Sequence, residues 1–220
     1  RYGARITDYL QAVDAEADSP ALRRLRQDLK IERILDDMGP LIEGTLEGAE
    51  RVSDIVQDLR RYSGGQKEES GRFELATLVK KAVQWVVKAS RTKPEIRYQL
   101  PESLELEGRQ GQVHQILVNL IQNALDAMQD QESPQLSVVC YQSEERVVIE
   151  VIDKGPGISQ DALMHVFDPF FTTKAVGQGT GLGLYISYGL ARDLGGDLAA
   201  TNHPDGGAAF TLTLPLHQNN

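Results

Sequence analysis

Between Ser63 and Gly71 the chain reads Ser-Gly-Gly-Gln-Lys-Glu-Glu-Ser-Gly, nine residues without one large apolar side chain. Such a stretch has nothing to bury, and its glycines and small polar groups give it the character of a flexible linker. It separates two different patterns, so the chain is expected to fold as two parts. Upstream, from Pro20 onward, Leu22, Leu25, Leu29, Ile34, Leu35, Met38, Leu41, Ile42, Leu46, Val52, Ile55, Val56 and Leu59 recur at three- and four-residue steps. That spacing predicts a long amphipathic helix, and Asp18-Ser19-Pro20 marks its start. A shorter helical stretch from Arg1 to Val13 precedes it, which predicts a helical hairpin. Outside its stripe the long helix is mostly charged. The stripe needs a cover, and a dimeric bundle supplies one.

Downstream, strands and helices mix. Leu75 to Ala89 predicts an amphipathic helix with Trp85 packed beside its apolar face. Glu95 to Leu100 and Leu104 to Glu107 read as short strands, and Gln110 to Met128 as a strong helix. Alternation predicts a hairpin of Gln135 to Gln142 with Arg146 to Ile152, turning at Ser143-Glu144-Glu145. A helix over Leu182 to Leu194 and a last hairpin of Asp197 to Asn202 with Ala208 to Leu214 complete an α+β arrangement. Its expected form is a mixed sheet with helices on one face.

Charge narrows the function. The 23 Lys and Arg against 32 Asp and Glu leave a net charge of −9, which argues against binding a nucleic-acid backbone. No apolar run approaches the roughly 20 residues of a membrane-spanning helix. The single cysteine, Cys140, forms no internal disulfide framework and suits a reducing, cytoplasmic compartment.

Four segments carry chemistry. On the helix around His114 to Ala127, Asn119 and Asn123 stand one turn apart on a polar face, where asparagine costs helix stability. Asp153-Lys-Gly-Pro-Gly-Ile158 follows a strand directly. Its glycines, Gly155 and Gly157, allow a tight turn to approach a flat ligand, while the carboxylate can accept from an exocyclic amine. Gly177-Gln-Gly-Thr-Gly-Leu-Gly183 runs into a helix, whose free N–H groups and partial positive charge suit phosphate. No strand leads into it, so it is not the dinucleotide fingerprint, and no Gly-Lys-Ser/Thr follows, so it is not a P-loop. Just upstream, Phe167-Asp-Pro-Phe-Phe-Thr-Thr-Lys174 has the aromatics of an anchored lid. Taken singly, the first is equally a solvated face and the second an ordinary turn.

Together, in this order, the Asn helix, DKGPGI, FDPFFTTK and GQGTGLGL resemble the catalytic ATP-binding domain of sensor histidine kinases, within the GHKL superfamily of type II topoisomerases, Hsp90 and MutL. The likeness runs from Phe73 to about Leu216. Glu47-Gly-Ala-Glu-Arg51 and Asp58-Leu-Arg-Arg-Tyr-Ser63 resemble the second helix of that family's dimerisation and phosphotransfer hairpin. The resemblance implies three parts: residues 1–63 for dimerisation, a linker over 64–72, and an ATP-binding domain over 73–217. It implies ATP and Mg²⁺ as ligands. Asn123 would coordinate the metal with Asn119 lining the same site, and Asp153 would accept from the adenine amine beside Gly155 and Gly157. Gly179, Thr180, Gly181, Leu182 and Gly183 would hold the lid and helix start against the phosphates. Phe170 and Phe171 would pack the lid, with Lys174 reaching a phosphate. The implied partners are a second copy through the helices and a response-regulator receiver domain whose aspartate receives the phosphate.

Two departures stand out. Gly207-Ala208 occupies a place where the family often has Gly-Thr, which removes a threonine contact to adenine. None of His114, His165, His203 and His217 is followed by the acidic residue and proline of the family's phosphoacceptor, which is expected upstream of Arg1. Two other functions fit a GHKL domain, an ATP hydrolase or clamp and a degenerate dimeric scaffold. Hydrolysing branches place a water-activating glutamate where this chain has Asn119, and intact Asn, Asp and Gly motifs speak against a scaffold.

Overall fold

The computed structural model describes residues 13, 20, 24, 27–63, 70–174 and 179–217. The linker residues 64–69 and almost all of the expected first helix, residues 1–12, lie outside the described residues. The chain divides into two compact units, the first ending at Asp54 and the second beginning at Ile55.

From Ile31 the expected stripe forms α1, Ile31–Ser63, a 33-residue helix with Pro40 inside it. The single helix expected from Pro20 is broken by a turn at Leu29 and Lys30, where Lys30 has φ +52°, and Leu22 and Leu25 lie outside the described residues. A proline at position 40 removes one backbone donor from the ladder. Ile31 and Ile34 are buried, but Leu41, Ile42, Leu46 and Val52 are each at least half exposed. That face is apolar and open.

The second unit begins with β1 (Gly71–Glu74), which leads directly into α2 (Leu75–Ala89). The Glu74 carboxylate caps α2 by accepting from the Ala76 N–H and also from Leu104 N–H, tying the helix start to the chain thirty residues on. Next come β2 (Glu95–Gln99), β3 (Glu105–Gly108), α3 (Gln110–Ala127), β4 (Gln135–Ser143) and β5 (Arg146–Asp153). The last elements are α4 (Gln160–His165), α5 (Gly183–Asp193), β6 (Asp197–Asn202) and β7 (Ala208–Pro215).

Five strands form one sheet in the order β2-β4-β5-β7-β6. The β2–β4 pair is parallel and the other three pairs are antiparallel, so the sheet is mixed as expected. Register explains its one buried face. Val138 opposes Val151, which opposes Phe210, and Cys140 opposes Ile149, which opposes Leu212, with Leu198 beyond. Every member of these rows is under a tenth exposed. They share a core with Leu78, Val79 and Val83 of α2, Leu117, Leu120 and Ile121 of α3, and Ile186 and Leu190 of α5. The fold class is α+β, a helical layer on a mixed sheet.

Three further local expectations change. Gly71–Glu74 is a strand that pairs with β3 in a separate two-stranded sheet, where the sequence pattern gave only the end of a linker. Gln160–His165 forms a short helix capped by Ser159, whose hydroxyl accepts from Ala162 N–H. Trp85 is 69% exposed rather than packed. The buried positions of α2 are Leu75, Ala76, Leu78, Val79, Ala82, Val83 and Val86, and residue 85 falls at the edge of that face, where its side chain projects into solvent.

Candidate functional site

The Asp153 turn, the polar face of α3, the end of the lid segment and the start of α5 surround one cavity of about 390 Å³. That is within the usual size of small-molecule sites.

At one part of its wall stands Asp153, the last residue of β5, only 2% exposed. Its Oδ1 accepts two backbone N–H groups, from Gly155 at 2.8 Å and from Ala208 at 3.2 Å. Burial pushes the carboxyl pKa above the ordinary value, and these bonds to the charged form pull partly back. Both N–H bonds fall on one oxygen, and Oδ2 takes neither. The turn is tight because glycine permits it. Gly207 has φ +85°, and a Cβ there would lie 1.9 Å from the Asp153 carbonyl oxygen. Gly157 has φ +79° and lies against Asn202. The departure at Gly207-Ala208 therefore has a structural content: Ala208 contributes its main-chain N–H to the aspartate. Ile158, Val166 and Phe210 add an apolar lining to the same cavity. A carboxylate among apolar walls suits a flat heterocycle bearing an amine.

Another part of the wall is built on α3, where Asn119, Asn123 and Asp126 follow the i, i+4, i+7 spacing of one helix face. Lys174 reaches across to it. Its ammonium donates to Asp126 Oδ2 at 2.5 Å and to Asn123 Oδ1 at 3.3 Å. The other Asp126 oxygen accepts from Gln122 Nε2 at 2.7 Å. Asn119 is braced differently: its Nδ2 donates to the Gly183 carbonyl at 3.3 Å and to Ser187 Oγ at 3.1 Å. It ties α3 to the first turn of α5, a bracing role beside its place in the cavity wall.

The glycine-rich entry to α5 follows. Gly181 has φ +67°, and a Cβ would come within 2.4 Å of the Phe170 carbonyl carbon, while the Phe170 N–H donates to Gly181 O at 2.9 Å. The lid end is thus stapled to the helix entry through bare backbone. Leu182 is buried in the core, while Gly179, Thr180, Gly181 and Gly183 line the cavity. Gly177 lies outside the described residues.

Of the expected site residues, Asn119, Asn123, Asp153, Gly157, Phe171, Lys174, Gly179, Thr180, Gly181 and Gly183 come together on this cavity. Gly155, Phe170 and Leu182 do not line it. Gly155 acts through its N–H on Asp153. Phe170, at φ +67° and 65% exposed, points away from the cluster, whereas Phe171 tilts against His165 at 5.9 Å. None of the cavity-lining residues is a histidine. Sequence reasoning missed Asp126 and Asn202. The i+7 position of Asp126 on the Asn face is the available signal for the first, and nothing local marks the second.

The donor set fits a hard divalent cation. Asn123 Oδ1 is a hard neutral oxygen, the kind of donor a divalent cation accepts when phosphates bring the charge, and the spot already attracts a cation, the Lys174 ammonium.

Comparison with known proteins bears on the whole constellation. Residues 108–218 match the family described as histidine kinase-, DNA gyrase B-, and HSP90-like ATPase. The chain is 36% identical over 167 residues to the C4-dicarboxylate transport sensor protein DctB of Pseudomonas aeruginosa, covering 74% of this chain and 27% of that protein. It is 30% identical over 171 residues to the sensor histidine kinase ZraS of Escherichia coli, covering 77% of this chain and 36% of that one. The catalytic domain of the histidine kinase ThkA superposes with a TM-score of 0.62 at 29% identity, over 68% of this chain and 97% of that domain. The chain spans about a third or less of these two curated relatives.

Proposed function

This chain belongs to the histidine kinase-, DNA gyrase B-, and HSP90-like ATPase family, and from that membership we propose that it binds ATP with Mg²⁺ and transfers the γ-phosphoryl group to a protein histidine within a two-component system. The observation that carries this reading is the pairing, in one cavity, of the buried Asp153 carboxylate with the Asn123–Lys174 cluster. Asp153 accepts from the adenine amine, and Ile158 and Phe210 enclose the ring. The main-chain groups from Gly179 to Gly183 and the entry of α5 face the triphosphate. Asn123 holds Mg²⁺, which supplies neutralising charge to the phosphates when bound. Lys174 provides a mobile positive charge for the same groups.

Phosphoryl transfer of this kind is mostly positioning and charge stabilisation. An imidazole is itself a nucleophile, so the site needs no base of its own. The position where a hydrolase would keep a glutamate is Asn119, whose amide is occupied with Gly183 and Ser187. This favours transfer to a protein over hydrolysis. The open face of Leu41, Ile42, Leu46 and Val52 on α1 supports a second copy as its cover. A receiver-domain aspartate is the proposed next acceptor. Among the described residues no helix is long and apolar enough to cross a membrane.

The test begins with equilibrium titration of the chain with ATP and with GTP in Mg²⁺. Tighter ATP binding by about tenfold or more is expected from one buried hydrogen bond to the base. Radiolabelled ATP is then supplied with a dimerisation helix bearing a His-acidic-Pro motif. Acid-labile label on that helix is expected. Phosphate release without label would favour the hydrolase reading, and acid-labile label on the chain alone would make one of its own four histidines the acceptor.

A further inference from the structure

The strongest unexplained feature is the carboxylate that holds Lys174. Asp126 is no bystander on a solvated face. Its two oxygens are separately engaged, Oδ1 by Gln122 and Oδ2 by Lys174, and the pair is about one-third exposed on each side. Gln122 sits one turn earlier on the same helix, so the carboxylate is held in place from its own backbone outward. Lys174 comes from a segment 48 residues away. The same ammonium bonds Asn123 Oδ1.

We propose that Asp126 is an affinity-determining residue of the nucleotide site, acting as an internal competitor that holds the Lys174 ammonium against the phosphate tail. This rests on the ATP-binding reading given above. The argument is one of charge. A phosphate tail can have Lys174 only by taking it from Asp126. A divalent cation beside Asn123 Oδ1 repels an ammonium on the same oxygen. Binding of a metal–nucleotide complex therefore separates the Lys174–Asp126 pair, and its loss is charged against affinity. Adenosine, which has no phosphate, leaves the pair intact.

Two consequences follow, opposite in sign to those of a metal ligand. Replacing the competitor by Asp126→Asn tightens Mg·ATP by about three- to fivefold, the worth of a partly exposed ion pair. It leaves adenosine affinity as it was. The gain requires the lysine, so in a Lys174→Met background the same Asp126→Asn change has little effect on ATP. Asp126→Glu, which keeps the charge on a longer arm, stays near the parent value.

The experiment is calorimetric titration of the full chain and these variants with Mg·ATP and with adenosine, with each variant's thermal midpoint recorded. Tighter ATP in Asp126→Asn, unchanged adenosine, and disappearance of the effect in Lys174→Met are the expected results. Weaker ATP binding in Asp126→Asn would make Asp126 a ligand of the cation and overturn the proposal. An equal gain with and without Lys174 would also overturn it, reducing Asp126 to a plain repulsive field while leaving the functional reading intact. Failure of the unaltered chain to bind either ATP or adenosine would remove both.

Discussion

Asn202 and Ile158 exchange two hydrogen bonds of 2.8 Å each, the Asn202 Oδ1 accepting from the Ile158 N–H while its Nδ2 donates to the Ile158 carbonyl. The side chain acts like one more residue of strand. It fastens the loop after the Asp153 turn to the last residue of β6, across 44 positions of sequence. Ile158 is part of the cavity wall, so this clamp sets how firmly that wall stands.

Asn202→Ala removes both bonds and leaves two backbone groups to find water. A loss of about 1–2 kcal/mol in stability is expected, with ATP affinity lowered several-fold and Mg²⁺ dependence unchanged. Chemical denaturation and nucleotide titration of the same variant measure the two effects.

Asp153→Asn is expected to separate function from stability. It loses the adenine hydrogen bond, so ATP binding falls about tenfold or more. The fold gains, because a buried charge is replaced by a neutral acceptor for Gly155 and Ala208. The folded Asp153 has a raised pKa. The stability tied to its protonated form is therefore present below the unfolded carboxyl value, about 4, and is lost as pH rises through the folded value. The variant's advantage, on the order of 1 kcal/mol near neutral pH, should fade as pH falls toward 4. Melting curves across that range decide it.

Asn123→Ala removes the proposed metal oxygen and one acceptor of Lys174. Nucleotide binding should lose most of its Mg²⁺ dependence, about tenfold in affinity, with the thermal midpoint little changed. Unaltered Mg²⁺ dependence would assign the metal elsewhere.

Two adjacent glycines offer a controlled pair. Both have positive φ, but a Cβ on Gly206 would meet nothing within 4 Å, while one on Gly207 would meet the Asp153 carbonyl at 1.9 Å. Gly206→Ala should cost about 1–2 kcal/mol of backbone strain. Gly207→Ala must displace main chain beneath the aspartate, so about 3 kcal/mol or more and loss of nucleotide binding are expected. Denaturant midpoints of the two variants, measured side by side, give the comparison.

Leu46→Glu places a charge on the open face of α1. If a second copy covers that face, light scattering should show the mass of the chain falling from dimer toward monomer at micromolar concentration. ATP affinity should hold.

The sheet was legible because its strands alternate, and register turned that alternation into a single buried face. The cavity was legible where chemistry is local: an aspartate before a Gly-Pro-Gly turn, two asparagines a turn apart, a glycine run before a helix. What stayed hidden depends on distant pairing. The strand Gly71–Glu74 exists only because β3 lies alongside it. The Lys174–Asp126 and Asn202–Ile158 links join residues more than forty positions apart. Between two neighbouring phenylalanines, only the main-chain conformation at Phe170 decides that Phe171 faces the site. At Trp85 one step of helical phase separates the packed face from the exposed one.

The Cys140 row in the middle of the sheet gives the molecule a clock. The lone thiol is 5% exposed, and its pKa is pushed up to about 12 by burial, with Glu74 adding to the rise. Alkylating reagents attack the thiolate, so the closed protein offers them neither access nor nucleophile. Labelling at neutral pH must wait for β4 to part from its neighbours. The rate at which a maleimide consumes Cys140 therefore counts openings of the central sheet, and any ligand that holds the sheet shut will slow that count without touching the sulfur.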